Sequence, residues 1–256
     1  MRRYKFQDEL YSSQKNCITM LFAYSDPLPL NQIFYCAIVE PVYMRTRAKI
    51  CGITRVEDVY SVVHSGADAI GLVFYPPSPR HVSIEQAERL IQHIPAYVQT
   101  VGLFVNASLE QIQEVLKTVA LDLIQFHGDE TPEQCQYIAK RVQRRWYKAI
   151  QVKPDVDLIQ TIEQYQQVGA SAMLLDAWHP ELKGGTGHAF DWAQFPKLDI
   201  PLILAGGLKP ENVEDAITTT GAYAVDVSGG VESAKGIKDQ QLIEQFMQGV
   251  HRGSAN

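Results

Sequence analysis

Eight short apolar runs, each followed by a stretch of helical or turn-forming sequence, set the narrowest limit on how this chain can fold. They are AKIC (48–51), AIGLVF (69–74), QTVGLF (99–104), LDLIQF (121–126), RWYKAI (145–150), AMLLD (172–176), PLILAG (201–206) and AYAVDV (222–227). Each is too short and too continuous for an amphipathic helix and reads as a buried strand. Between them, Leu109, Ile112, Val115, Leu116 and Val119 share one helical face, as do Ile84, Ala87, Leu90, Ile91 and Ile94. Thr54–Glu57, Ser83–Gln86, Ser108–Gln111 and Thr131–Gln134 each place a hydroxyl three residues before Glu or Gln, the pattern of a capping box. Pro132 follows Thr131, at a position where a first-turn proline is welcome.

Strand starts recur at roughly 20 to 30 residues, the length of one β–loop–α–loop unit, and alternating units imply a parallel sheet with helices outside. Eight units without a reversal predict an α/β fold, a single closed (β/α)8 TIM barrel; the alternative is a doubly wound open sheet. The barrel is expected over 48–256, about 210 residues, which is compact for this architecture. Residues 1–47 lack the rhythm. SDPLPLNQ is turn-like, and IFYCAIVEPV suggests one stray strand. This stretch is expected to be a loosely packed extension outside the barrel, which would be complete from Met44 onward.

Composition narrows the function. The chain has 256 residues, 46% hydrophobic and 20% charged, with a formal net charge of −6. That balance argues against nucleic-acid or membrane partners. The four cysteines (Cys17, Cys36, Cys51 and Cys135) form no CxxC pair, which suits a reducing, cytoplasmic setting and offers no zinc spacing. Asp8 and Glu9 interrupt the basic start MRRYKF, so no signal peptide is expected.

Function in such a barrel belongs at the carboxyl ends of its strands, and the loops after strands 7 and 8 commonly hold a phosphate. Here they read AGGL (205–208) and VSGG (227–230), so Gly206, Gly207, Ser228, Gly229 and Gly230 are the candidate phosphate site. Cys51 ends strand 1 and Asp176 ends strand 6. A thiol and a carboxyl across the mouth would make an acid–base pair without a metal; the alternatives are plain packing for Cys51 and a cap or turn for Asp176. Strand alternation puts Lys49 on the face of Cys51, where it either favours the thiolate or pairs with Asp226 of strand 8. His127, after strand 4, either lines the site or bonds a loop. KGGTG (183–187) suggests a loop closing over the substrate.

The motifs KICGIT, GLVFYPPSPRHVS, VGLFVN, QFHGDE, LLDAWHPELKGGTGHAFDW, LAGGLKPENV and VDVSGGVE, in this order, resemble the phosphoribosylanthranilate isomerases of tryptophan biosynthesis. The resemblance covers essentially residues 48–250. It implies an Amadori rearrangement of N-(5-phosphoribosyl)anthranilate by general acid–base catalysis, with no cofactor. It implies Cys51 as general base, Asp176 as general acid and Arg80 as the partner of the anthranilate carboxylate; otherwise Arg80 is solvated or pairs with Asp129 or Glu130. The partner expected is the small phosphoribosyl substrate, and the assembly a monomer or homodimer. Two positions depart from the pattern: Gly229 stands where the family often has a second serine, and Phe126 where it often has leucine. A histidine-pathway-type isomerase with paired aspartates and a non-catalytic phosphoribosyl sensor are the rival readings, and Cys51 together with Asp176 speaks against both.

Overall fold

The structure, a computed structural model, describes residues 45–152, 157–177 and 192–254. The expectations for the extension, for Cys17 and Cys36, and for the loop at 183–187 fall outside the described residues.

Eight parallel strands close into one barrel in chain order: β1 (Arg47–Cys51), β2 (Ala69–Val73), β3 (Gln99–Phe104), β4 (Leu123–Phe126), β5 (Arg145–Val152), β6 (Met173–Ala177), β7 (Leu202–Ala205) and β8 (Ala224–Val227). The ring is sealed between β1 and β8, where Lys49 stands beside Asp226 and Ile50 beside Val227. The open-sheet alternative is thereby set aside.

Among the described residues seven α-helices surround the barrel: α1 (Val56–His64), α2 (Ile84–Ile91), α3 (Leu109–Leu116), α4 (Pro132–Val142), α5 (Leu158–Gln167), α6 (Val213–Thr220) and α7 (Gln240–Ser254). Between β6 and β7 the described residues contain only a 3-10 turn, Trp192–Gln194. Ser108 and Thr131 form full capping boxes with Gln111 and Gln134. Two caps differ from expectation. Ser83 accepts from the Gln86 backbone, but the Gln86 side chain donates instead to the Thr54 carbonyl. Thr54 is no cap at all: α1 starts after Arg55, and the Thr54 hydroxyl donates to the Gly236 carbonyl at 2.6 Å.

Strand alternation sorts side chains into two layers. Ile50, Leu72, Ile124, Leu175 and Val225 are fully buried in the large cluster between sheet and helices. The barrel interior is filled by smaller residues, among them Ala149, Ala172, Leu174, Ala205 and Ala224, together with Tyr147. Buried there too are the polar side chains of Lys49, Gln125 and Asp226.

A small antiparallel hairpin, β9 (Glu232–Ala234) and β10 (Ile237–Lys238), sits between β8 and α7. No periodicity announces it, because its strands are three and two residues long. Its turn at Gly236 has φ +78 and lies close enough to the Pro79 carbonyl that a β-carbon would meet that oxygen at 2.9 Å.

Candidate active site

A cleft of about 660 Å³ opens at the carboxyl ends of the strands. Cys51, Arg80, His127, Asp176 and Asp226 line it, with the loops 205–209 and 227–230 along one side. The barrel thus brings every expected site residue but Lys49 to this cleft, and Lys49 lies just beneath.

Cys51 ends β1 and is 5% exposed. It packs with Val73 and Leu103 at the mouth. Burial raises its pKa above the ordinary thiol value; Lys49 and Lys238 oppose this and Asp226 adds to it. The thiol is therefore the dominant form at neutral pH, and the neighbouring ammonium groups offset only part of the effect of burial.

Lys49 donates to Asp226 Oδ2 at 2.8 Å, with both side chains almost wholly buried. Burial alone would depress the lysine, but Asp226 leads the groups that raise it well above its usual value. Both readings of Lys49 therefore coexist: it is an ion-pair partner and a cation beside the sulfur. Among the described residues Asp226 Oδ1 is buried without a hydrogen-bond partner. An unsatisfied carboxylate oxygen is costly, and this one lies in a cleft-lining residue.

Asp176 is the penultimate residue of β6, and its Oδ2 lies 3.6 Å from His127 Nε2. The ring is held from behind: Gln125 Nε2 stands 2.9 Å from His127 Nδ1, and Tyr147 donates to Gln125 Oε1 at 3.0 Å. Because the Gln125 oxygen accepts from Tyr147, its NH2 faces the histidine. The network therefore assigns neutral His127 the tautomer with its proton on Nε2, toward Asp176. Lys49 adjoins the Tyr147 hydroxyl, so this polar chain crosses the barrel floor from the thiol side to the carboxyl side.

The β4 loop that carries His127 is itself braced. The buried Glu130 carboxylate accepts from the backbone N–H groups of Asn106 (2.7 Å) and Gly128 (2.9 Å) and from Lys148 (2.8 Å). One side chain thus ties the loops after β3 and β4 to strand β5. Glu130 is thereby occupied, and so is not the partner of Arg80.

Arg80 instead meets Glu232 of the hairpin, through Nε and Nη2, each at 2.7 Å. Its side chain lies over Gly52, where a β-carbon would sit 2.5 Å from Cδ. Lys238 donates to Glu232 Oε1 at 2.8 Å and to the Ser228 carbonyl at 3.0 Å. Glu232 and Lys238 escaped the sequence reading. The only signal was VSGGVE itself, whose glutamate follows the glycines closely.

In the loops after β7 and β8, Gly206 and Gly207 have φ +85 and +66, values that favour glycine. A β-carbon on Gly230 would collide with the Leu208 carbonyl oxygen, so the two loops touch only because that residue is bare. The Ser228 hydroxyl donates to the Cys51 carbonyl at 3.0 Å, so it is already engaged within the strand ends. Among the described residues no group of three or more His, Cys, Asp or Glu side chains is placed to hold a metal ion. No described helix is long and apolar enough to cross a membrane.

A family model described as N-(5'phosphoribosyl)anthranilate (PRA) isomerase matches residues 48–249. The chain belongs to this family. It is 75% identical over 212 residues to the N-(5'-phosphoribosyl)anthranilate isomerase of Acinetobacter calcoaceticus, an alignment covering 83% of this chain and 100% of the relative. The crystal structure of phosphoribosyl anthranilate isomerase from Thermotoga maritima matches at 43% identity with a TM-score of 0.72, covering 80% of this chain and 98% of that one. Another isomerase structure, in complex with reduced 1-(o-carboxyphenylamino)-1-deoxyribulose 5-phosphate, matches at 38% identity with a TM-score of 0.68 and the same coverage.

Proposed function

We infer that this chain converts N-(5-phospho-β-D-ribosyl)anthranilate to 1-(2-carboxyphenylamino)-1-deoxy-D-ribulose 5-phosphate in tryptophan biosynthesis, as the family does. One arrangement supports the reading above all. A thiol and a carboxyl flank a single cleft that also offers an arginine and two glycine loops, one feature for each chemical group of the substrate.

In this reading the glycine loops take the phosphate through backbone N–H groups, and Arg80 takes the anthranilate carboxylate. Asp176 in its acid form protonates the ribose ring oxygen. The bond from that oxygen to C1' breaks, and the nitrogen lone pair forms the imine. The Cys51 thiolate then removes the C2' proton, and the electron pair flows toward nitrogen to give the enolamine. Tautomerisation to the ketone completes an isomerisation in which no atom is gained or lost. Each proton transfer typically contributes about 10² to 10⁴ in rate. Lys49 supports the thiolate form, and His127 stands beside Asp176 with its Nε2 at 3.6 Å from the carboxyl.

The test is turnover of freshly prepared phosphoribosylanthranilate, followed by loss of its fluorescence. Conversion at a rate typical of enzymes supports the reading, and binding without turnover would favour the sensor.

A further inference from the structure

The bidentate pair between Arg80 and Glu232 bears on how the substrate is oriented. A guanidinium has two usable edges: a side edge made by Nε and Nη2, and an end edge made by Nη1 and Nη2. Glu232 occupies the side edge with two bonds of 2.7 Å. Among the described residues Nη1 makes no hydrogen bond, and Arg80 lines the cleft. Only the end edge is left to meet a second carboxylate.

Glu232 is itself held firmly. Its side chain is 5% exposed, and Lys238, whose side chain is wholly buried, grips Oε1 at 2.8 Å. Burial alone would raise the glutamate, but Arg80 and Lys238 outweigh it and keep the group ionised. The carboxylate, the lysine and the Gly236 turn all belong to the β9–β10 hairpin, in which Lys238 stands opposite Glu232. Thr54 pins that turn to the loop after β1. The hairpin therefore carries both the carboxylate that grips Arg80 and the lysine that grips the Ser228 carbonyl of the phosphate loop.

We propose that Glu232 is a positioning residue for substrate recognition: it takes the side edge of Arg80 and so presents the end edge as the single carboxylate-binding face. Glu232 touches no substrate group. It acts through Arg80, and this inference rests on the reading that Arg80 binds the anthranilate carboxylate.

Steady-state kinetics of Arg80→Ala, Glu232→Gln and the double variant test it, with inhibition by ribulose 5-phosphate, which has no aryl carboxylate, as a second readout. Loss of charge-assisted bonds predicts a KM about tenfold higher for Glu232→Gln with kcat within about twofold. In the Arg80→Ala background the same substitution adds nothing to KM, and the inhibition constant of ribulose 5-phosphate is unchanged by Glu232→Gln. Glu232→Asp, which keeps the charge, recovers part of the lost affinity and serves as the working variant if Glu232→Gln is poorly folded. Unchanged KM in both Glu232 variants overturns the proposal while leaving Arg80 in place. Equal KM effects of Glu232→Gln with and without Arg80, or a weakened ribulose 5-phosphate, overturn it in favour of a general role in holding the loops. Unchanged KM in Arg80→Ala removes the reading on which it rests.

Discussion

Gly71 gives the Cys51 sulfur its room: the two residues are register partners on β2 and β1, and a β-carbon on Gly71 would lie 2.7 Å from Sγ. The same atom would lie 3.0 Å from Cys51 Cα and from Lys49 Cε. Any side chain at this position pushes on the thiol, on the strand that carries it and on the cation beneath it.

Gly71→Ala is therefore expected to lower kcat at least about tenfold, because displacing a reacting group by about 1 Å can cost 10²-fold. Overpacking of this kind destabilises by about 1–3 kcal/mol, so the variant should still fold. Stopped-flow turnover with circular dichroism as the folding control decides it. Wild-type kcat in a folded variant would mean that the sulfur position is not critical.

Cys51→Ser and Asp176→Asn keep shape and remove proton chemistry. Each should lower kcat by at least about 10² with product affinity nearly intact, since neither group is assigned to hold phosphate or carboxylate. The acid–base assignment fails if either folded variant keeps more than half of wild-type kcat while chemistry limits the rate.

Lys49→Met leaves Asp226 buried and unpaired, a loss of about 3–5 kcal/mol, and Lys49→Met/Asp226→Leu should regain most of it. The folded-state pKa of Lys49 is raised. The stability this pair supplies is thus fully present below the unfolded lysine pKa and is lost as pH rises through the folded value. For catalysis the sign is different. Lys49 lowers the Cys51 pKa against burial, so its removal should move the ascending limb of kcat/KM to higher pH. A limb that stays in place would show that Lys49 is only structural.

Gly206→Leu places a branched side chain at φ +85 beside the cleft. It should weaken every phosphate-bearing ligand while leaving free anthranilate binding unaltered. Gly229→Leu should also disturb Arg80, whose Nη2 lies 3.3 Å from where its β-carbon would sit. Calorimetry with inorganic phosphate and with product separates the two, and a ligand-bound structure with phosphate at other loops would refute the assignment.

A chain that starts at Met44 should fold and turn over like the full chain, because the barrel closes with strands that begin at Arg47. Insolubility or loss of kcat in that shorter protein would show that residues 1–43 contribute to the fold.

The sequence was most legible where one physical rule acts alone. Alternation and run length located all eight strands to within a residue or two; β4 begins at Leu123, two residues late. The run LDLIQF starts at Leu121, whose side chain extends the apolar stretch past a charged residue, but the Asp122 carboxylate accepts from the Thr100 backbone N–H and hydroxyl, and so belongs to the turn. Caps were less legible, because a side chain chooses among partners from the whole fold: Gln86 prefers the Thr54 carbonyl to its own helix end. Least legible were Gly71, Gln125 and Glu232. Gly71 acts across the pairing of β1 with β2, Gln125 is oriented by Tyr147 of the next strand, and Glu232 reaches Arg80 only once the ring has closed.

The sealing of β1 against β8 also has a kinetic meaning. Lys49 and Asp226 are 177 residues apart in the chain, as are Cys51 and the Ser228 hydroxyl that fastens its carbonyl. Contacts of such separation form late, since the loop-closure entropy must be met before they return any stability. On this ground the pairing of Lys49 with Asp226 is expected to be completed only when the last strand joins the first. Recovery of activity during refolding should therefore trail the recovery of helix signal, and turnover itself becomes a clock for the moment at which the first and last strands join.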